Sequence, residues 1–79
     1  MEIIFSKHAR EVLKIRRIKR KLIEKALLNP HEIKEEGEIN IAHYFLNDKM
    51  IRVIFRRMDK AYMVITAYIT HKRRYGGIK

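Results

Sequence analysis

His71, Lys72, Arg73, Arg74 and Tyr75 follow one another directly after Ala61 to Thr70, a run rich in Val, Ile, Thr and Tyr that reads as a β-strand. A strand ending in this way delivers an imidazole, several cations and an aromatic ring to one spot. Those groups suit a phosphodiester backbone without help from a metal. Cations hold phosphate, imidazole moves protons and an aromatic ring stacks on a base. The competing view is a solvated basic tail, and the strand register decides between them.

A turn at Asp59-Lys60 joins the last two strands. If it contains only those residues, residue i of the strand Met50 to Met58 faces residue 119 minus i of the strand Ala61 to Thr70. Ile51, Val53 and Phe55 then share a face with Tyr62, Val64, Thr66 and Tyr68. The other face gathers Met50, Arg52, Ile54 and Arg56 with Met63, Ile65, Ala67, Ile69 and His71. Arginines flanking an isoleucine are poor core material, since an unpaired buried guanidinium costs several kcal/mol. They suit a concave phosphate-binding surface, with Arg52, Arg56 and His71 on it and Lys72, Arg73 and Arg74 at its rim; otherwise Arg52 and Arg56 are solvent-facing strand residues or pair with Glu38 or another carboxylate.

His43 has two possible places. In its strand Ile39, Ile41, His43 and Phe45 alternate with Glu38, Asn40, Ala42 and Tyr44, which puts His43 on the apolar face as a satisfied core histidine. A strict two-residue turn ahead of Lys49 or Met50 puts it beside Arg52 instead, as a base or a cleft-lining group. Tyr44 takes whichever role His43 does not. His8 falls in the first turn of a helix, and His31 after Pro30 reads as a turn residue. Glu32, Glu35, Glu36 and Glu38 form an acidic edge that could supply a base. Lys14 to Lys21 is a second basic cluster, read by default as the charged outer face of a helical turn and otherwise as a second phosphate-contact strip distant from the cleft.

The elements that must position these groups are legible in outline. Met1 to Phe5 reads as a short strand, and Ser6 as the N-cap of a helix that begins at Lys7. Ala9, Val12 and Leu13 give its apolar side. Leu22, Ile23, Ala26 and Leu27 mark a second helix, which stops at Asn29-Pro30. Strands follow near Glu32 to Glu35, Glu38 to Leu46, Met50 to Met58 and Ala61 to Thr70, with turns at Gly37, Asn47-Asp48-Lys49 and Asp59-Lys60. The order is β-α-α-β-β-β-β. The fold class is therefore α+β, with the N-terminal helices packed on one face of a curled antiparallel sheet and the other face partly open.

The whole chain, residues 1–79, is one domain. A hydrophobic content of 47% argues for a folded core despite 35% charged residues. Without cysteine there are no disulfides or thiolate metal sites, and the scattered histidines show no ligand spacing, so neither metal nor cofactor is expected. No apolar run is long enough for a membrane span, and the opening residues read as a strand rather than a signal peptide, so a cytoplasmic protein is expected. Nineteen Lys and Arg against nine Asp and Glu give a net charge of +10. Polyanions, nucleic acid before membrane, are the natural partners.

With this order of elements the chain resembles the RelE/ParE toxin superfamily. Arg52-Val-Ile-Phe55 looks like the strand of its ribonuclease members that carries an arginine to the scissile phosphate. His71 falls near their C-terminal catalytic histidine, with Tyr75 a few residues on. Phe5-Ser-Lys-His-Ala9, Arg17-Ile18 and Ala26-Leu-Leu-Asn-Pro30 are similar to an uncharacterised family related to these toxins and to the BrnT group. The resemblance covers nearly the whole chain through short motifs. It departs at Lys72, where the ribonucleases have tyrosine after histidine, and at Lys19, where the uncharacterised family often has Ser or Thr. No single glutamate matches their general base.

The resemblance implies a metal-independent endoribonuclease toxin that cleaves messenger RNA on the ribosome and is held in check by an antitoxin protein. Arg52, His71 and Tyr75 would be catalytic, and Arg56, Lys72, Arg73 and Arg74 would hold RNA. His43 and Tyr44 would supply a base or line the cleft. The alternative is a non-catalytic toxin-like protein that binds gyrase or nucleic acid.

Overall fold

The computed structural model describes residues 2–71. The order is β1 (Glu2–Phe5), α1 (Lys7–Arg16), α2 (Arg20–Leu28), β2 (Glu32–Glu36), β3 (Ile39–Leu46), β4 (Lys49–Arg57) and β5 (Ala61–His71). Ser6 caps α1 as its sequence position requires, with its Oγ accepting from the Ala9 N–H at 3.0 Å. Arg17 ends α1 in the left-handed conformation, φ 57°, and its N–H turns back to the carbonyls of Leu13 and Lys14. That tight turn lets Ile18 drop into the core while Ile15 stays 79% exposed.

The strands form one open sheet in the order β1-β5-β4-β3-β2. Every hairpin-linked pair is antiparallel, but β1 pairs with β5 in parallel, from Glu2 opposite Ala61 to Phe5 opposite Val64. The sheet is therefore mixed, not wholly antiparallel as expected. A tight turn dictates antiparallel pairing for the last four strands, whereas β1 reaches its neighbour only after both helices, so no hairpin sets its direction.

Both helices lie on one face. Ala9, Ile18, Ile23, Ala26 and Leu27 pack there against Ala42, Ile51, Val53, Phe55, Val64 and Ala67. Ile15 points away from this core, so only one of the two isoleucines in the basic run contributes to it. The opposite sheet face carries no helix among the described residues.

Candidate nucleic-acid interface

Leu46 pairs with Lys49 across Asn47-Asp48, a tight turn opened by Asn47 in the left-handed conformation, φ 59°. That turn fixes the register of β3 on β4 and sets His43 directly opposite Arg52. His43 therefore shares the helix-free face with Arg52, and Tyr44 takes the helix side, where it packs at the margin of the core. His43 is nevertheless fully enclosed, at 0% exposure.

The register of β4 on β5 follows expectation only near its turn. Arg57 faces Tyr62, Arg56 faces Met63 and Phe55 faces Val64, each pair summing to 119. A bulge then absorbs Ile65, and from Ile54 opposite Thr66 to Lys49 opposite His71 the pairs sum to 120. An extra residue in one strand moves everything beyond it to the other face. Tyr68, not Ala67, thus lies across from Arg52, and Ala67 enters the core opposite Val53.

The bulge also separates His71 from Arg52. His71 pairs with Lys49 at the helix-side end of the hairpin, and its Nδ1 lies 3.8 Å from the Asp48 carboxylate. The expected common face for Arg52, Arg56 and His71 therefore holds for the two arginines alone. Lys72, Arg73, Arg74 and Tyr75 lie outside the described residues.

What the sheet assembles instead is one polar row across four strands. Glu32 on β2 faces His43 on β3, which faces Arg52 on β4, which faces Tyr68 on β5. Arg52 Nε–H donates to His43 Nε2 at 3.0 Å, so the ring proton sits on Nδ1, which donates to Glu32 Oε1 at 2.6 Å. Arg52 Nη1 donates to the Tyr68 hydroxyl at 2.6 Å. His43 and Tyr68 thus fix the plane of the guanidinium without themselves neutralising it. Glu32, with its side chain 36% exposed, selects the tautomer that makes the first of these contacts possible. Among the described residues, no buried side-chain polar atom lacks a partner.

Arg16 joins this row from the helix layer. β1 pairs with β5 only through Val64, and beyond that point Arg16 Nη1 donates to the Ala67 carbonyl at 2.9 Å. Its Cζ lies 5.8 Å from the Tyr68 ring centroid, and that of Arg52 lies 5.6 Å from the same ring. Two guanidinium groups thus lie near the Tyr68 ring, and its quadrupole attracts cations over its face. The Lys14 to Lys21 cluster, expected to be remote from the cleft, reaches it through Arg16.

Arg56 lies on the same face as Arg52 but towards the other end of β4, where its Nη2 donates to Glu38 at 3.3 Å. Arg57 similarly meets Glu35 at 3.4 Å. The Arg56–Glu38 pair and Arg57 border an open depression of about 540 Å³ that also touches Asn40, Met58, Asp59 and Met63. The acidic edge therefore divides its work: Glu32 orients His43, while Glu35 and Glu38 meet exposed arginines. His31 stacks on Phe45 at 4.7 Å, and its Nδ1 accepts from the Phe45 N–H at 3.0 Å, which makes it a clasp between β2 and β3. No group of three or more His, Asp or Glu among the described residues could hold a metal ion.

The sequence does not place Tyr68 or Arg16 beside Arg52, yet strict alternation carries a warning. It put Thr66 and the Tyr68 hydroxyl in the core while leaving small, apolar Ala67 outside. A bulge resolves that conflict. The structure thus defines an open α+β domain with a helix-covered core on one side and a polar row centred on an arginine on the other. The chain belongs to the DUF4258 family, a domain of unknown function, whose profile matches residues 5–69. That span contains Glu32, His43, Arg52 and Tyr68. No curated protein and no solved structure matches the chain. No helix among the described residues is long and apolar enough to cross a membrane.

Proposed function

We propose that this protein is a toxin of the RelE/ParE type that acts on RNA as a metal-independent endoribonuclease, with messenger RNA on the ribosome as its substrate. The observation that carries this reading is the orientation of Arg52 by His43 and Tyr68 on the helix-free face of a domain with a net charge of +10. A guanidinium held in a fixed plane meets the negative charge that grows on phosphorus during transfer without having to reorganise. The 2′-oxygen of the ribose forms a bond to phosphorus as the bond to the 5′-oxygen breaks. Tyr68 is the proton-transfer group beside Arg52: its hydroxyl proton passes to the departing 5′-oxygen, and the proton released by the 2′-hydroxyl restores the phenol through solvent. The products are a 2′,3′-cyclic phosphate and a 5′-hydroxyl. His43, enclosed and hydrogen-bonded through both ring nitrogens, acts by positioning Arg52.

The placement of His71 away from Arg52 favours a second reading, a non-catalytic toxin-like protein that uses the same surface to bind nucleic acid or gyrase. Either protein requires neutralisation in its cell, and a cognate antitoxin with an acidic or amphipathic segment fits the basic surface. Incubation with translating ribosomes, followed by mapping of cut ends, separates the readings. The first expects cutting by the wild type and a loss on the order of 10²–10³-fold in Arg52→Ala, the usual cost of removing a group that stabilises developing charge. Undiminished cutting by Arg52→Ala overturns it. Intact RNA with the wild type leaves the second. His71→Gln cuts normally if Tyr68 is the acid, and its inactivity would return that role to the imidazole.

A further inference from the structure

The basic turn between the helices and the Arg52 row lie on different sides of the sheet, and the side chain of Arg16 reaches from one to the other. Lys14, Arg16, Arg17, Lys19, Arg20 and Lys21 crowd this turn. The first turn of α2 has no acidic residue, and the N-cap Lys19 makes no side-chain capping bond. The positive end of the α2 dipole therefore adds to the cationic field. Glu24, 3.1 Å from Arg20, meets one of these charges. Beside the turn, Phe5, Leu13 and Ile18 floor a groove of about 250 Å³ rimmed by Arg10, Lys14 and Arg20, with Arg20 Cζ 4.8 Å from the Phe5 ring centroid. Arg10 and Lys14 are four residues apart on α1, so their side chains project from the same side of that helix.

Arg16 connects the two regions. It leaves the end of α1, binds the Ala67 carbonyl at the β5 edge and reaches the Tyr68 ring that Arg52 also approaches. Cations and an aromatic ring follow each other from Arg52 over Tyr68 to Arg16, and the last turn of α1 separates Arg16 from Lys14 at the rim of the groove.

We infer that a single strand of RNA crosses the β5 edge on this track, with one phosphate at Arg52 and its neighbours running over Arg16 to Arg10, Lys14 and Arg20. This deepens the function proposed above and rests on it for the identity of the nucleic acid. The single-stranded form follows from shape. The molecule is 19 Å through its shortest dimension, and a backbone leaving the sheet face for the helix layer must bend within that distance. A duplex resists such bending, as its persistence length, about 150 base pairs for DNA, makes plain; a single strand follows the track at little cost. The ring of Tyr68 and the apolar floor at Phe5 give its bases places to stack.

The test measures binding of the full chain to a short oligouridine, to the same length of duplex RNA, and to oligouridine across a salt series. The triple variant Arg10→Gln, Lys14→Gln, Arg20→Gln is compared with a charge-matched control, Lys25→Gln, Lys34→Gln, Lys60→Gln. The track triple lowers the slope of log affinity against log salt by about 2, equivalent to roughly a hundredfold weaker binding at about 0.1 M salt, while the control keeps the wild-type slope. Lys14→Glu moves binding in the same direction should the triple variant fail to fold. Equal effects of the two triples, or duplex binding as tight as single-strand binding, overturn the track. Absence of RNA binding by the wild type overturns both the track and the proposed function. The expected slope change with undiminished cutting by Arg52→Ala leaves the track standing and removes the catalytic assignment alone.

Discussion

Arg52 and Tyr68 meet across β4 and β5, guanidinium to hydroxyl at 2.6 Å, because one surplus residue, Ile65, is taken up in the bulge between them and the hairpin turn. A hydrogen bond with a charged donor contributes about 1.5–3 kcal/mol when its partners are well aligned. Both residues are half-buried, so solvent screening brings the expectation to about 1 kcal/mol. Tyr68→Phe retains the ring near Arg16 and Arg52 and removes only the hydroxyl. A double-mutant cycle with Arg52→Ala, measured by urea unfolding, is expected to give a coupling energy of that size. A coupling near zero would mean that the hydroxyl does not hold the guanidinium.

His43 should matter more to stability than either neighbour on its row. It is fully enclosed, and His43→Ala leaves a cavity and deprives Arg52 Nε and Glu32 of a partner. The expected cost is about 2–4 kcal/mol. Glu32→Ala should cost less, roughly 1 kcal/mol, since that side chain is 36% exposed and water can replace it in part. Chemical denaturation of both variants checks the order, and a larger loss for Glu32→Ala would contradict it.

The sequence carried the elements of this fold through local chemistry. Ser6 before Lys7, Asn29-Pro30 after Leu28, and the turns at Asn47-Asp48-Lys49 and Asp59-Lys60 each mark an element boundary by a known backbone preference, although Lys49 itself belongs to β4. The parallel placement of β1 was not legible, because its contact with β5 joins opposite ends of the chain and depends on how α1 packs. Nor was the bulge marked: Val64, Ile65 and Thr66 all favour strands, and no glycine interrupts the run. The cost of burying Arg52 marks it for the helix-free face, where it lies. The partner proposed for it, His71, was displaced by a single residue of register. Arg16 depended on a long side chain crossing a sheet edge, which periodicity cannot reveal.

The register can be checked away from the polar row. Ala67 is fully buried opposite Val53, whereas strict alternation would put it on the face with Arg52. Ala67→Leu adds volume to a packed core and should cost about 1–3 kcal/mol. Without the bulge the added side chain would lie on the helix-free face and be tolerated. Thermal unfolding distinguishes the two, since 1 kcal/mol moves the midpoint by about 4–8 °C in a domain of this size. An unchanged midpoint would rule out the bulged register.

Arg17 stores strain where the helices meet. Its φ of 57° lies in the left-handed region, in which a Cβ crowds the backbone and glycine does not. The same residue adds a charge to the cluster formed by Arg16, Lys19 and Arg20. Arg17→Ala removes the charge and keeps the Cβ, whereas Arg17→Gly removes both. The glycine variant is expected to be the more stable of the two by about 0.5–1 kcal/mol, the usual gain at a left-handed helix end after glycine's extra freedom in the unfolded chain is subtracted. Comparison of their unfolding midpoints isolates the backbone contribution, because the lost charge is common to both. If alanine proves equal or better, the turn is not strained at Arg17.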